Sequence, residues 1–370
     1  MLNVLLDGIF YNGHGLAEGN RILLRFLERA GFRVHIRARD QGCKYSVLDP
    51  AEADYISSFE QTTLTSKDIY LFNWVGTHAR ARADFKVNIA RTTFESDRIP
   101  SSWVSELNRF DEVWVQSRFN QKTFRASGIT VPMRLIPNFF DIGNYNPEGP
   151  KLSLPIQGEF VFLSVFDLKK RKGYDVLLRA FLDEFTSRDR VALEVKIRDG
   201  NRFDLLERII AQHPRPSDER PPIYIIHQML STGELHALYR TCDAFVLPTR
   251  GEGWGRPFFE AMLMELPVIG TNWSGQTDFM NETNAYLIPV DHFKTIQDNE
   301  NQAFIGHRWA EPSLEGLRRL MRRVVTDRAE AKRIGKKARQ DLMREYSMEA
   351  TYAKVAEALA RYESLVVHQR

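Results

Sequence analysis

Short apolar runs alternate with amphipathic segments along the chain, which predicts that strands and helices follow one another. Asn3–Leu6 is an apolar run typical of a strand, and Asn20–Ala30 carries apolar residues at helical spacing. Gly31 suits the end of that helix, and Phe32–Arg37 is the next strand candidate. The glycine-rich stretch 7–19 is predicted to be the loop between the first strand and its helix. Such alternation is typical of a doubly wound parallel sheet.

The alternation occurs twice, on either side of a stretch rich in Pro, Gly and Asn at Asn138–Glu159, which we interpret as an interdomain linker. The first half has further predicted strands at Ile69–Phe72, Val87–Ala90, Glu112–Gln116 and Met133–Ile136, and helices at Ser101–Arg109 and Arg118–Ala126. The second half has predicted strands at Phe160–Val165, Ala192–Ile197, Ile223–Ile226, Ala244–Leu247 and Pro267–Gly270, and helices at Asp175–Phe185, Thr232–Arg240, Pro257–Met264 and from Ser313 onward. Two such halves predict two lobes and a cleft lined by loops from the carboxyl ends of both sheets.

Composition narrows the class of protein. The chain has 370 residues, which suits two domains, and its 43% apolar and 27% charged residues predict a globular protein. A net charge of +3 is too small for a dedicated nucleic-acid binder, and two cysteines are too few for a disulfide scaffold. The apolar runs are far shorter than the roughly 20 residues that span a bilayer, and the first residues lack the basic region of a signal peptide. We therefore expect a cytoplasmic protein without nucleic-acid partners, and a peripheral contact with the inner membrane surface stays open.

The stretch Leu247–Met262 has the strongest pattern for a binding site. A predicted strand ends, a loop with three glycines follows, and Pro257 suits the first turn of a helix. Glycines allow close approach of a ligand, and a helix N-terminus attracts phosphate. Glu252 in the loop and Glu260 in the helix could each accept sugar hydroxyls. A simple glycine turn with a capping glutamate is the structural alternative.

Two further stretches carry candidate chemistry. Four consecutive cations at Lys169–Lys172 lie between a predicted strand and a helix, where they would stabilise a departing diphosphate without a metal, although such a run is also typical of a solvated surface. The loop Gly13–Gly15 follows the first strand, which indicates either a phosphate loop or an ordinary tight turn. Neither pattern is specific alone.

The stretch Leu247–Met262 strongly resembles the E-x7-E region of retaining glycosyltransferases with the GT-B fold, family four of that classification (glycosyl transferases group 1). Glu252 and Glu260 have the family's spacing, and the following Pro267–Ile269 also matches. The resemblance implies an α/β GT-B fold with two Rossmann-like domains: an acceptor-side domain at 1–148 plus a returning helix at 347–370, and a donor domain at 149–346. It further implies retaining transfer of a sugar from a nucleotide-sugar, as in polysaccharide biosynthesis, to a glycan, lipid-linked or protein acceptor.

The resemblance also assigns roles to individual residues. Glu252 would contact the donor sugar, Lys172 the diphosphate, and Glu260 the ribose. The family's arginine before the lysine is replaced by Asp167, a departure for which Arg171 could compensate. The remaining candidates are Gly253, Trp254, Gly255, Arg256, Met229, Gly13 and Gly15 for the donor, and His14, Thr93, Glu95 and Asn73 on the acceptor side, with helix capping as the alternative for Glu95.

No cofactor and no metal are expected, because the sequence has no Asp-x-Asp motif and no histidine-rich cluster. A nucleotide-sugar epimerase or a phosphorylase could share the two-lobed architecture, but the spacing of Glu252 and Glu260 together with Lys172 disfavours both. The alternative from another class is a catalytically weak, nucleotide-sugar-binding partner in an assembly complex. Asp167 in the position of the expected arginine is its only support.

Overall fold

The structure, a computed structural model, describes residues 1–44, 47–155, 159–198, 203–299 and 301–362. Contacts divide the chain into two compact units: unit 1 comprises Met1–Asp141 and the chain from Tyr346 onward, and unit 2 comprises Ile142–Glu345. Each unit contains one six-stranded sheet in which every neighbouring pair of strands is parallel. This is the α/β architecture that the alternating pattern predicts.

The sheet of unit 1 has the strand order β2-β1-β3-β4-β5-β6. Its strands are β1 (Asn3–Gly8), β2 (Arg33–Ala38), β3 (Ile69–Asn73), β4 (Val87–Arg91), β5 (Glu112–Val115) and β6 (Met133–Leu135). Its helices are α1 (Gly15–Arg29), α2 (Pro50–Ser58), α3 (Ser101–Leu107), α4 (Arg118–Ala126) and α11 (Met348–Ala360). The strands and helices predicted for this half are confirmed, except that α2 was not predicted and α1 begins earlier than expected.

The early start of α1 follows from close packing rather than from helix propensity. Asn20 in this helix donates to the carbonyl oxygens of Ile9 and Asn73. A Cβ atom on Gly8 would lie 2.6 Å from the Asn20 amide nitrogen and from the Asn73 carbonyl oxygen. The glycine in β1 therefore allows the helix to approach the sheet, and the loop predicted over 7–19 is shortened to residues 9–14.

The sheet of unit 2 has the strand order β12-β11-β10-β7-β8-β9, and an antiparallel pair, β13–β14, stands beside it. Its strands are β7 (Phe160–Phe166), β8 (Val191–Ile197), β9 (Ile223–Ile226), β10 (Ala244–Leu247), β11 (Val268–Thr271), β12 (Tyr286–Ile288), β13 (Val290–Thr295) and β14 (Arg308–Pro312). Its helices are α5 (Tyr174–Glu184), α6 (Asp204–Ala211), α7 (Thr232–Thr241), α8 (Arg256–Leu263), α9 (Leu314–Thr326) and α10 (Arg328–Glu345). Helix α6 and strands β12 to β14 were not predicted.

The core of unit 1 lies between its sheet and two helices that are far apart in sequence. Leu23 and Leu27 of α1 are fully buried together with Leu6 of β1. Val355 and Leu359 of α11 belong to the same buried cluster, so the end of the chain completes the first unit. Within the described parts of the chain, no helix has both the length and the apolar character needed to cross a bilayer.

Candidate functional site

The site in unit 2 is built at the carboxyl ends of two neighbouring parallel strands. Strands β7 and β10 are adjacent in the sheet, so the loops that follow them lie side by side. Gly173 ends the first loop with φ of +71°, and a Cβ atom there would lie 1.9 Å from the carbonyl oxygen of Pro248 in the second loop. Only glycine permits this approach, which brings the basic run and the glutamate loop together.

Lys172 and Arg171 both bind Glu252. Lys172 Nζ lies 2.6 Å from Glu252 Oε1, and Arg171 Nη1 lies 3.3 Å from Glu252 Oε2. Thr249 also donates to Glu252 Oε1 at 3.0 Å. The two cations and the carboxylate are all buried. Arg171 therefore turns inward beside Lys172, which the sequence alone could not show, and the two residues do not form a solvated surface.

The ion pairs decide the charge state of this cluster. Burial raises the pKa of Glu252, but Lys172 and Arg171 together hold it below its usual value. Burial lowers the pKa of Lys172, and the charge of Arg171 lowers it further, while Glu252 opposes both effects. The carboxylate is thus ionised and faces two cations. With two cations and one carboxylate, the cluster has a net positive charge, which suits an anionic ligand.

Arg250, which the sequence analysis did not single out, holds the two loops together. Its guanidinium binds Asp175 through two contacts of 2.8 and 2.9 Å and Glu311 through two contacts of 3.0 and 2.6 Å. It also donates to the Lys170 carbonyl, and its backbone amide donates to the Arg171 carbonyl at 2.7 Å. Arg250 therefore positions the basic loop. Its place directly before the Gly-Glu-Gly sequence was the one signal that pointed to it.

The backbone of the glutamate loop is fixed by a second glycine contact. The Glu252 amide donates to Ser274 Oγ at 2.8 Å, and the Gly275 amide donates to the Glu252 carbonyl. A Cβ atom on Gly275 would lie 2.1 Å from the Gly253 carbonyl oxygen. Gly255, with φ of +96°, is the N-cap of α8 and has no side-chain capping bond. The glycines thus shape a tight loop before the helix N-terminus.

Glu260 belongs to a different set of contacts from Glu252. It accepts a hydrogen bond from the Tyr239 hydroxyl at 3.2 Å, and its other oxygen lies 3.4 Å from Arg256. Both carboxylates come from the same loop-and-helix segment, as the spacing predicts. The structure therefore places Arg256 beside Glu260 rather than with the cations around Glu252.

Two of the donor candidates lie in unexpected surroundings. The Trp254 side chain is 2% exposed and packs against Phe259 and Phe279, with ring centroids 5.9 and 5.1 Å away. The indole is thus packed among aromatic side chains, and the contact expected between the backbone around Trp254 and the donor stays a prediction. Met229 is 57% exposed in the loop after β9. Its side chain is on the surface of the loop.

Asp167 occupies the position at which the resembling family has an arginine, and it forms an ion pair with Arg198. Its carboxylate accepts from Arg198 at 2.8 and 3.0 Å. Burial raises the pKa of Asp167, but Arg198 and Lys172 lower it more, so the net direction is downward. The carboxylate is therefore ionised and held by its neighbour.

The glycine loop of unit 1 is organised by Asp40. The amides of Phe10, Tyr11 and Asn12 all donate to the Asp40 carboxylate, at 2.8 to 2.9 Å. These three amides are consequently occupied by a protein carboxylate. His14 is the N-cap of α1, which begins at Gly15, and its side chain is exposed. Gly13 lies in the bend immediately before it.

The remaining acceptor-side candidates differ in how accessible they are. Asn73 is fully buried, with its amide donating to Asn20 Oδ1 and its oxygen accepting from Arg91. Because both ends are occupied, we reinterpret Asn73 as a positioning residue. Thr93 is half-buried and donates to Asn120 Oδ1 at 2.6 Å. Glu95 is half-buried, and the N-cap of α3 is Pro100 without a side-chain cap, which does not favour the capping alternative.

Comparison with known proteins agrees with this architecture. Residues 157–299, which include both loops of the site, match the family described as Glycosyl transferases group 1. The chain is 28% identical over 224 residues to the GtfA subunit of the UDP-N-acetylglucosamine–peptide N-acetylglucosaminyltransferase of Streptococcus pneumoniae. That match covers 58% of this chain and 40% of the pneumococcal protein. The chain thus spans less than half the length of this relative.

Solved structures match over nearly the whole chain. The Anabaena protein Alr3699/HepE, in complex with UDP and glucose, has a TM-score of 0.68 at 14% identity, covering 98% of this chain and 100% of that one. Sucrose-phosphate synthase from Thermosynechococcus elongatus has a TM-score of 0.69 at 15% identity, covering 99% and 100%. The fold is GT-B. Within this fold, residues 157–299 are similar to the group 1 glycosyltransferases.

Proposed function

We propose that the protein is a glycosyltransferase that moves a sugar from a nucleotide-sugar to a hydroxyl of a glycan, lipid-linked or protein acceptor, with retention of configuration and without a metal. The observation that carries the proposal is the buried cluster of Lys172, Arg171 and Glu252 at the ends of two adjacent strands. Two cations suit a diphosphate, and one carboxylate suits sugar hydroxyls.

In this proposal the ion pairs of Glu252 with Lys172 and Arg171 are exchanged when the donor binds. Lys172 and Arg171 turn from Glu252 to the oxygens of the donor diphosphate. Glu252 then accepts hydrogen bonds from sugar hydroxyls in place of the two cations. The exchange leaves each buried charged group with hydrogen-bond partners, which burial requires. Arg250 holds the backbone of the basic loop throughout, because its own partners are Asp175 and Glu311.

The chemical step breaks the bond between the anomeric carbon and the diphosphate oxygen. The acceptor oxygen forms the new bond on the same face of the sugar, and the proton of its hydroxyl passes to the departing phosphate oxygen. Negative charge grows on the diphosphate as it leaves, and Lys172 with Arg171 stabilises it. One preorganised hydrogen-bonding group of this kind accelerates a reaction by about 100- to 1000-fold. Glu260 holds the ribose of the nucleotide.

The alternative, a partner that binds nucleotide-sugar without turnover, rests on Asp167. The contacts give it little support: Asp167 is held by Arg198, and Arg171 lies beside Glu252 together with Lys172. The positive charge associated with the family's arginine is thus supplied by another residue. We therefore favour the enzyme. A lasting failure of turnover with bound donor and a correct acceptor would favour the alternative.

Thermal unfolding against UDP-, GDP- and dTDP-sugars tests the donor site. A ligand at about 100 times its dissociation constant stabilises the folded protein by roughly 2.7 kcal/mol. We expect one nucleotide class to raise the melting temperature, and Lys172→Ala and Glu260→Ala to reduce that rise. Lys336→Ala, an exposed lysine of α10, is the matched control and should retain the full shift. If no nucleotide at millimolar concentration shifts the folded protein, the donor-site proposal is wrong.

A further inference from the structure

Unit 1 has a strongly basic groove that the proposed donor site does not include. It consists of two adjoining cavities of about 350 and 400 Å³, which share Arg37 and Arg82 in their lining. The other charged side chains of the lining are Arg39, Arg80 and Lys67, with His78 and His35 beside them. We call this feature the basic groove.

The groove lies on the sheet face opposite α1. In β1 and β2, Leu5 pairs with His35 and Asp7 pairs with Arg37, so these four side chains share one face. The other face is covered by α1, whose leucines are buried with Leu6 and Ile36. The groove is closed on its far side by the segment 77–85, from which Phe85 contacts Tyr70 at 5.9 Å between ring centroids.

The cations of the groove exceed the carboxylates that bind them. Asp7 is fully buried and holds Arg39 at 2.6 and 2.7 Å, while Arg37 is 3.9 Å away with a side chain that is 52% exposed. Arg82 is paired with Asp84. Arg80 donates to the carbonyls of residues 77 and 79, and it has no carboxylate within 4 Å among the residues that the structure describes. Arg37 and Arg80 therefore keep most of their capacity to bind an anion.

The groove adjoins the glycine loop through two consecutive residues. Arg39 lines the groove, whereas the next residue, Asp40, binds the amides of Phe10 to Asn12 in the loop before α1. The Arg39 amide also donates to the Gly8 carbonyl at 2.8 Å. An anion bound in the groove would thus be anchored next to the loop that is expected to approach the substrates.

We propose that the basic groove binds a phosphate group of the acceptor, so that the acceptor of this transferase is a phosphorylated molecule. This inference rests on the proposed function, because it identifies the chemical class of the second substrate. Guanidinium groups bind phosphate oxygens in pairs, and a phosphate carries more charge than the single carboxylate of an acidic sugar. The two cavities together have room for a diphosphate and for part of the group attached to it.

Binding of inorganic pyrophosphate, measured by calorimetry with the donor site saturated by the nucleoside diphosphate that it binds, tests the groove separately from the donor site. The groove variant is Arg37→Gln with Arg80→Gln. The control variant is Arg109→Gln with Arg319→Gln. These two side chains are 66% and 68% exposed, and their replacement removes the same total charge as the groove variant does. Loss of two charged hydrogen-bond donors should weaken pyrophosphate binding in the groove variant about tenfold or more, and the control should bind as the parent protein does.

Nucleotide binding separates this proposal from the donor-site proposal. The groove variant should keep the melting-temperature shift with nucleotide-sugars, because Lys172 and Glu252 are intact. Conversely, Lys172→Ala should keep the pyrophosphate binding that is lost in the groove variant. Equal pyrophosphate affinity in the groove and control variants would overturn the inference. Glucuronate, which carries a single carboxylate, serves as the comparison. If it binds the parent protein as tightly as pyrophosphate does, the inference is likewise overturned.

Vesicle sedimentation identifies the source of the phosphate. Phosphatidylcholine vesicles with and without phosphatidic acid are mixed with the parent protein, the groove variant and the control variant. Sedimentation that requires phosphatidic acid and is lost only in the groove variant supports a lipid-borne phosphate. Pyrophosphate binding that depends on the groove, without sedimentation, supports a soluble phosphorylated acceptor. Sedimentation and pyrophosphate binding that are both unchanged in the groove variant contradict the proposal.

Discussion

Two buried carboxylates of unit 2, Glu252 and Glu194, differ in the partners that surround them. Glu252 faces Lys172 and Arg171, which hold its pKa below the usual value despite burial. Glu194 in β8 is 1% exposed, and neither of its oxygens has a hydrogen-bond partner within the described part of the chain. Burial raises its pKa to about 7. The first residue is therefore a charged group suited to ligand binding, and the second destabilises the fold whenever it ionises.

Replacement of Glu252 by glutamine should separate nucleotide binding from transfer. The change removes one negative charge and leaves both cations, so the affinity for a nucleoside diphosphate should stay the same or rise a few-fold. The turnover number should fall about 100-fold or more, because the proposed contact with the donor sugar is lost. Calorimetry and an assay of sugar transfer measure the two quantities.

Glu282→Gln, at an exposed position after β11, is the matched control for Glu252→Gln and should change neither quantity. A large loss of nucleotide affinity in Glu252→Gln, with turnover per bound donor unchanged, would contradict the exchange of partners described above. It would mean that Glu252 acts by holding the loop rather than by contacting the sugar.

Replacement of Glu194 by methionine should remove a pH-dependent loss of stability. The unfolded chain ionises this carboxyl near its ordinary pKa of 4.5, whereas the folded protein ionises it near 7. The contribution of Glu194 to stability is therefore fully present below pH 4.5 and is lost as the pH rises through 7. At pH 8 the variant should be more stable than the parent by about 1–3 kcal/mol, and this difference should shrink towards pH 5. Denaturant unfolding at several pH values measures it, and a difference that does not vary with pH would refute the assignment.

At the scale of elements, Arg250 joins three parts of unit 2 that are distant in sequence. Its partners lie in the first turn of α5, in the basic loop and in β14. Burial alone would lower the pKa of Arg250, but Glu311 and Asp175 raise it further than burial lowers it. The guanidinium therefore stays charged, and its planar fork serves two carboxylates at once. Lysine has a single ammonium group and cannot reproduce this geometry.

Arg250→Lys should consequently lower both stability and nucleotide affinity. We expect a loss of about 2–4 kcal/mol in the free energy of unfolding, since a buried network loses part of its pairing. Weaker nucleotide binding in the folded variant would show that Arg250 positions Lys172 and Arg171, beyond a structural role. The matched control is Arg318→Lys, because Arg318 also contacts two glutamates but is 33% exposed. It should cost less than about 1 kcal/mol and leave nucleotide affinity unchanged.

The predictability of the elements follows the strength of their patterns. Strands such as β9 and β10 and helix α4 were predicted with their observed limits, because apolar runs and turn residues mark their ends. Helix α6 was missed because it is only eight residues long, although its side chains are amphipathic and Asp204, Glu207 and Pro214 mark its two ends. The pair β13–β14 was missed because most of β13 is exposed and polar, so it has no buried face to create an alternating pattern.

The site was predictable only where the chain itself brings residues together. The spacing of Glu252 and Glu260 is local, so sequence could place both on one loop and helix. The ion pairs of Glu252 with Lys172 and Arg171 join residues about 80 positions apart and follow from the order of strands β7 and β10, which no local pattern gives. The burial of Trp254 was equally hidden, because its aromatic neighbour Phe279 comes from a later loop.

At the scale of the whole molecule, the chain passes between its two units twice, after Asp141 and before Tyr346. Helix α11 therefore stabilises unit 1 although it follows the whole of unit 2 in sequence. Its Leu359 and Val355 are fully buried in the core of unit 1. At the end of this helix, the Tyr362 hydroxyl donates to Glu112 of β5 at 2.7 Å. The stability of the first unit thus depends on the last residues that the structure describes.

Leu359→Ala should therefore weaken unit 1 selectively. Removal of a fully buried leucine side chain costs about 2–5 kcal/mol, and the cavity would lie in the core formed with α1 and β1. We expect the unfolding transition of unit 1 to move to lower temperature, while nucleotide-sugars still raise the melting temperature of unit 2, since all residues of the proposed donor site are unchanged. Differential scanning calorimetry with and without nucleotide separates the two transitions.

Glu357→Ala, whose side chain in the same helix is 77% exposed, should move neither transition by more than about 1 kcal/mol. A single transition that falls with Leu359→Ala and carries the nucleotide shift with it would show instead that the two units unfold together.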